Sequence, residues 1–320
     1  MTFYSAKLYI FVAFKGTVMT SCVGFVGLGN MGKPMVKNLL EKGESVIVYD
    51  KDESATRWLY EELSPNWSIC IGTSHRDLRD CDIVLLMLPD SNITNLVMLG
   101  GEEGNGLIES LKPGATVFDM GSSDPSQTVM LSELCATKDM LFVDAPVSGS
   151  VIKAEAGNLT IMIGSQDIGL NAINVLKKLG SDLIRTGEVG SAHAMKALNN
   201  YVYAAGLLAV CESIHIAERM GLDVTILSKV LKSSSGRNVA IETKLDNYII
   251  PRSFKGGFSL GLQSKDLLTA TSMANKCEVN APLLSLCDGF WKEALSTMSS
   301  SEDNTSILQF VEYVNKDKSN

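Results

Sequence analysis

The stretch Cys22 to Gly32, CVGFVGLGNMG, decides the fold. Its first half is an apolar run too short for a helix and suited to a buried strand. Its second half, Gly27, Leu28, Gly29, Asn30, Met31 and Gly32, sets three glycines at the spacing GxGxxG. Helical spacing follows over Lys33 to Lys42, and SVIVYD, ending at Asp50, reads as a second strand. Strand, turn, helix and strand within about thirty residues make a βαβ unit, which requires a parallel sheet covered by helices on both faces.

In that context the three glycines have separate tasks. The first permits a tight turn, the second lets the backbone approach a pyrophosphate, and the third lets the helix pack closely on the strand. The helix then turns its positive dipole end and its first N–H groups toward the phosphates. Asp50 stands 18 residues after Gly32, close to the roughly 20 expected of an acid that hydrogen-bonds the adenosine ribose. A carboxylate there repels a 2'-phosphate, so NAD is the expected cofactor. Lys51, next to it, softens that discrimination toward NADP. Ligands of doubly wound sheets sit beyond the carboxyl ends of the strands. Leu88 with Pro89, and Ser122 after another strand, are therefore expected to line the same crevice. Ser123, Asp124 and Pro125 read as a helix start.

The alternation continues outward from this unit. Strands are expected at Asp82 to Leu88, Ala115 to Met120, Met140 to Pro146, Leu159 to Gly164 and Asp182 to Gly187. The texture changes after Gly187. Ser191 to Met220 has no proline and continuous apolar spacing, so it predicts one helix of about 30 residues, roughly 45 Å long. Helical patterns fill most of the rest, with Asp317 to Asn320 fraying. The expected fold is α/β: a Rossmann-type doubly wound parallel sheet followed by an all-α carboxy-terminal domain, entered by a long interdomain helix. The expected divisions are 1–21, 22–187 and 188–320.

Lys196 lies in the first turns of the long helix, with Asn199 and Asn200 three and four residues on, a spacing that groups them on one face. A lysine can exchange a proton with a carbonyl or alcohol oxygen if burial lowers its pKa toward neutrality. Its neighbours Ala194, Met195, Ala197 and Leu198 are apolar, so the amine interrupts a buried helix. A second polar cluster, Asp144 to Ser150, ends a strand in small residues whose N–H groups and hydroxyls suit a carboxylate.

These segments together resemble the β-hydroxyacid dehydrogenase family, from about Cys22 to Pro282. GFVGLGNMGKPMVKNL is similar to its cofactor motif, DAPVSGS to its substrate motif, GEVGSAHAMKALNN to its catalytic motif and FSLGLQSKDL to its carboxy-terminal motif. The resemblance implies that Ser148 and Gly149 hold the substrate carboxylate, Lys196 is the general acid/base, Asn200 binds substrate and orients Lys196, and Lys265 sits beside the nicotinamide. Ser150 stands where the family pattern has a second glycine, and Ser191 or Ala192 where it has another; both bear on substrate size. The resemblance extends to 6-phosphogluconate dehydrogenase, whose larger helical domain has no room here, and to imine reductases, which usually replace the lysine. Some relatives are non-catalytic dinucleotide-binding modules that typically lack it, and that alternative stays open at the level of sequence.

Composition sets the outer bounds. Among 320 residues, 45% are apolar and 20% charged, as expected of a soluble globular chain. The formal net charge of -8 opposes binding to nucleic acid. Seven cysteines without a CxxC pair point to a reducing compartment rather than to disulfides or zinc. No run approaches the roughly 20 apolar residues of a membrane span. Residues 1–21 carry Lys7 and Lys15 and no acid, which makes them an extension or a weak targeting segment. The expected location is cytoplasmic, or mitochondrial if that segment directs import. The apolar long helix needs cover, so a homodimer or homotetramer is expected.

Overall fold

The computed structural model describes residues 22–62, 67–101 and 104–316. Segments 1–21 and 317–320, for which targeting and fraying were expected, lie outside them. The chain forms two compact units, one ending at His193 and the other beginning at Ala194.

The first unit begins with β1 (Val23–Val26), α1 (Gly32–Glu41), β2 (Ser45–Tyr49), α2 (Arg57–Glu62), β3 (Ser68–Ile71) and β4 (Ile83–Leu86). It continues through α3 (Ser91–Leu99), the short pair β5 (Gly100–Gly101) and β6 (Gly104–Asn105), α4 (Leu107–Ser110), β7 (Thr116–Asp119), α5 (Pro125–Ala136) and β8 (Leu141–Asp144). It closes with β9 (Val147–Ser148), α6 (Val151–Glu155), β10 (Leu159–Ile163), α7 (Gly169–Leu179) and β11 (Gly180–Arg185).

Six strands form one sheet in the order β3-β2-β1-β4-β7-β8, with every neighbouring pair parallel. The order reverses between β1 and β4, which is where a crevice opens in such sheets. Alternation along each strand explains why both faces are covered. Phe25, Leu85, Phe118 and Val143 point into a core shared with α1, α6 and α7. Val26, Leu86, Val117 and Phe142 point into a second core shared with α3, α4 and α5. Strands buried on both faces must be apolar throughout, which is why they read as runs rather than as alternations. The two later strands expected from the sequence leave this sheet: β10 and β11 join β9 in a separate sheet of order β11-β10-β9, in which β9 runs antiparallel.

The long helix, α8, spans Ser191–Arg219, close to its expected bounds. It is followed by α9 (Val224–Ser233), a π-helical stretch over Ile241–Ile249, α10 (Leu260–Lys276), α11 (Pro282–Ala294) and α12 (Ile307–Val314). In the second unit, Ala204, Leu207, Cys211 and Ile214 of α8 pack into a core with Trp291 of α11 and Phe310 of α12. Met195, Leu198, Val202 and Ile216 of the same helix remain exposed. His215, Glu218 and Glu312 face one another, but Arg252 pairs with Glu218 at 3.1 Å and Glu312 at 2.6 Å, so a guanidinium supplies the balancing charge. Among the described residues no helix is long and apolar enough to cross a membrane.

Candidate active site

The glycine turn between β1 and α1 has the geometry that its spacing implies. Gly27 has φ +96°, and a Cβ there would lie 2.3 Å from the Met87 carbonyl oxygen, so both conformation and space demand glycine. A Cβ on Gly32 would lie 1.9 Å from the Gly27 oxygen, which is the close approach of helix to strand. A Cβ on Gly29 would meet nothing within 4 Å. The middle glycine therefore faces open space, as a backbone that receives a ligand must. Asp90, Asp124 and Asp223 cap α3, α5 and α9, whereas α1 has no side-chain cap and no acid in its first turn. Its leading N–H groups suit an anion. A cleft of about 660 Å³ opens over Leu28, Gly29 and Asn30, with Lys33, Val151 and Glu155 on its walls.

Asp50 closes on this turn. Its Oδ2 accepts the Leu28 N–H at 2.6 Å and its Oδ1 accepts that of Asp52 at 2.8 Å. Each oxygen keeps further lone-pair capacity for ribose hydroxyls. Asn30 is exposed, and Met31 is partly buried against the core of the sheet. Leu88 is a buried core residue lying against Gly27, and Pro89 after it is exposed. Ser122 is half-buried on a loop that Asp119 stiffens: Asp119 accepts the Gly121 N–H at 3.0 Å and the Ser123 hydroxyl at 2.6 Å. The cap of the next helix is Asp124, with Pro125 in its first turn.

The DAPVSGS segment divides into two parts. Ser148 pairs with Thr160 in the small sheet, and the exposed Gly149 takes φ +141°, a conformation that side chains other than glycine's rarely adopt. Asp144 turns the other way. Fully buried, it accepts the N–H groups of Gly190, Ala192 and His193 at 2.9, 2.8 and 3.0 Å and so caps the start of α8. His193 is also buried, with Nδ1 2.7 Å from the Thr128 hydroxyl and Nε2 3.9 Å from Asp119. The sequence grouped Asp144 with a carboxylate-binding cluster, whereas it caps a helix, and it gave His193 no task.

In the second unit, Lys196 is partly buried on α8. Desolvation by burial is the largest influence on its amine and pulls the pKa below the ordinary lysine value. The Asp266 carboxylate opposes that shift, and the Lys265 ammonium adds to it. Asp266 is 1% exposed; it receives the Asn200 amide at 2.5 Å and Lys265 Nζ at 3.2 Å. Gln263 donates to the Asn200 carbonyl at 3.2 Å and accepts from Asn304 at 3.3 Å, which fixes that stretch of backbone. Asn199, grouped with Lys196 by spacing, is exposed and donates to Asn200. Asp266 is the functional candidate that the sequence reading passed over. Its only local signal is an acid directly after Lys265.

Residues 22–187 match the family model described as the NAD binding domain of 6-phosphogluconate dehydrogenase. Residues 190–311 match the one described as NAD-binding of NADP-dependent 3-hydroxyisobutyrate dehydrogenase. The 2-(hydroxymethyl)glutarate dehydrogenase of Eubacterium barkeri is 31% identical over 288 residues, 90% of this chain and 93% of that protein. The mitochondrial 3-hydroxyisobutyrate dehydrogenase of Homo sapiens is 32% identical over 296 residues, 90% of this chain and 86% of that protein. Among solved structures, the Mycobacterium tuberculosis 3-hydroxyisobutyrate dehydrogenase with L-serine superposes with a TM-score of 0.81 at 26% identity, covering 92% of this chain and 99% of its own.

The Gly32 contact generates a test. Gly32→Ala drives a methyl group against the Gly27 carbonyl and displaces the turn, so NAD affinity measured by calorimetry should fall roughly tenfold or more while the helical circular-dichroism signal is kept. Unchanged affinity would contradict the assignment of the turn.

Proposed function

The chain belongs to the β-hydroxyacid dehydrogenase family, and on that premise we propose that it moves a hydride between NAD and a small β-hydroxy acid or its semialdehyde, with Lys196 as general acid/base. The observation that carries the proposal is a lysine on α8 whose amine burial holds below its ordinary pKa, with the charge of the buried Asp266 carboxylate acting against that shift. Residues 22–187 are the cofactor-binding domain and 188–320 the substrate and oligomerisation domain.

The chemistry of the substrate class is consistent with the relatives' names. 3-Hydroxyisobutyrate and 2-(hydroxymethyl)glutarate both carry a primary alcohol one carbon from a carboxylate-bearing carbon. The hydroxyl of Ser148 and the N–H of Gly149 take the substrate carboxylate, and Asn200 holds the reacting oxygen. Gly27, Gly29, Asn30, Met31 and Gly32 cradle the pyrophosphate, Asp50 takes the ribose hydroxyls and favours NAD over NADP, and Leu88, Pro89, Ser122 and Lys265 complete the cofactor's surroundings.

The bound dinucleotide supplies the hydride acceptor or donor. In oxidation, neutral Lys196 removes the hydroxyl proton as the alcohol carbon becomes an aldehyde, and the ammonium that results is stabilised by Asp266. In reduction, the ammonium returns that proton to the new alkoxide oxygen. Burial favours the neutral amine that the first direction needs, and Asp266 favours the ammonium that the second needs. The exposed Met195, Leu198 and Val202 on α8 support cover by a second copy in a homodimer or homotetramer. Seven free thiols support a reducing, cytoplasmic setting, with deletion of residues 1–21 as the check for mitochondrial import.

Lys196→Ala should lower kcat by roughly 10² or more with NAD affinity nearly unchanged; wild-type turnover on a panel of β-hydroxy acids would refute the role. The pH dependence has a definite sign. Oxidation needs the neutral amine, so kcat/KM for the hydroxy acid at saturating NAD rises with pH through the Lys196 pKa. Asp266→Asn removes an influence that raises that pKa and moves the rise to lower pH; Lys265→Met removes one that lowers it and moves the rise to higher pH. Shifts in the same direction would contradict the arrangement. Light scattering should give two or four times the chain mass, and a monomer would remove the oligomer from the proposal.

A further inference from the structure

Cys22 immediately precedes β1 and Cys81 comes shortly before β4, two strands that are neighbours at the centre of the sheet. The Asp82 N–H bonds to the Cys22 carbonyl at 3.3 Å, so the chain is already paired at this point. The two sulfurs lie 3.6 Å apart, and both residues are buried, 7% and 0% exposed. Gly24 makes room for them: a Cβ there would sit 3.4 Å from the Cys81 sulfur and 3.0 Å from Leu78. We infer that Cys22 and Cys81 are a dithiol that peroxide converts into a disulfide inside the folded dinucleotide unit.

The pair has a built-in division of labour. Cys81 donates its S–H to the Cys22 sulfur. That contact holds the Cys22 thiol below the ordinary cysteine value and pushes Cys81 far above it, with burial adding to the rise at Cys81. Cys22 is therefore the thiolate that attacks. Its sulfur attacks one peroxide oxygen: an S–O bond forms, the O–O bond breaks, and the leaving hydroxide takes a proton to become water. The Cys81 sulfur then attacks the Cys22 sulfenic acid, an S–S bond forms, the S–O bond breaks, and the hydroxyl leaves as water with the Cys81 proton. Two thiols lose two electrons and one peroxide becomes two waters.

The link would join β1 and β4 at their amino-terminal ends, whereas the glycine turn follows the carboxyl end of β1. It should therefore leave turnover unchanged. It closes a separation of 59 residues, and a loop of that size restricts the unfolded chain enough to raise the melting midpoint of this unit by roughly 10 °C.

The test uses the full chain carrying Cys277→Ser, because Cys277 is exposed and would compete for oxidant. After stoichiometric hydrogen peroxide, a non-reducing digest read by mass spectrometry should contain the Cys22 and Cys81 peptides joined and two hydrogens lighter, with a raised melting midpoint that dithiothreitol reverses. Cys81→Ser in the same background should stop at a Cys22 sulfenic acid that dimedone traps, with no gain in melting midpoint. Unjoined Cys22 and Cys81 peptides once the peroxide is consumed, or Cys22 joined instead to Cys70, would overturn the inference.

Discussion

Removing a lysine amine from water penalises its charged form, and in this structure a buried carboxylate acts against that penalty. Burial and the Lys265 ammonium act on Lys196 in one direction and Asp266 in the other, so the amine is tuned by their balance and not by any one influence alone. This is why the polar groups around it have to be fixed. Asp266 receives the Asn200 amide and the Lys265 ammonium. Asn200 is in turn held through Gln263 and Asn304. A carboxylate free to rotate toward solvent would leave the amine with desolvation and the Lys265 ammonium, both lowering its pKa, useful for taking protons and poor at giving them back.

The dinucleotide unit relies on a different constraint, the space denied to side chains. Gly27 and Gly32 are hemmed in by backbone oxygens, and Gly29 faces open space. Asp50 then locks the turn through the Leu28 N–H. One acid can thus serve the loop's shape and the ribose together, because a carboxylate has about four acceptor directions and the fold uses one on each oxygen.

Legibility followed how local the physics was. The glycine turn, the strand before it and the acid 18 residues on are set by short-range sterics and appear directly as spacing. The long helix was legible for the same reason, within a residue at its end. Partnerships across sequence were not. Asp266 lies 70 residues from Lys196, and only tertiary folding makes it that amine's counter-charge. Asp144 read as part of a carboxylate-binding loop because the N–H groups it caps lie more than 45 residues away. Asn199 and Asn200 looked equivalent by spacing, yet one helical step of about 100° buries one and exposes the other. Strand runs also carry no label for the sheet they join, so β10 and β11 could not be told from members of the main sheet. The contact between Cys22 and Cys81 belongs with these cases, since it depends on strand order rather than on any motif.

The account depends most directly on the protonation of one amine. It can be read without turnover by following the Lys196 side-chain resonance with pH in isotopically labelled, NAD-bound protein, assigned by its loss in Lys196→Ala. The account predicts a titration below the ordinary lysine range of about 10.4 that falls further when Asp266 is changed to Asn. A Lys196 that titrates with the surface lysines, and does not respond to Asp266, would contradict it.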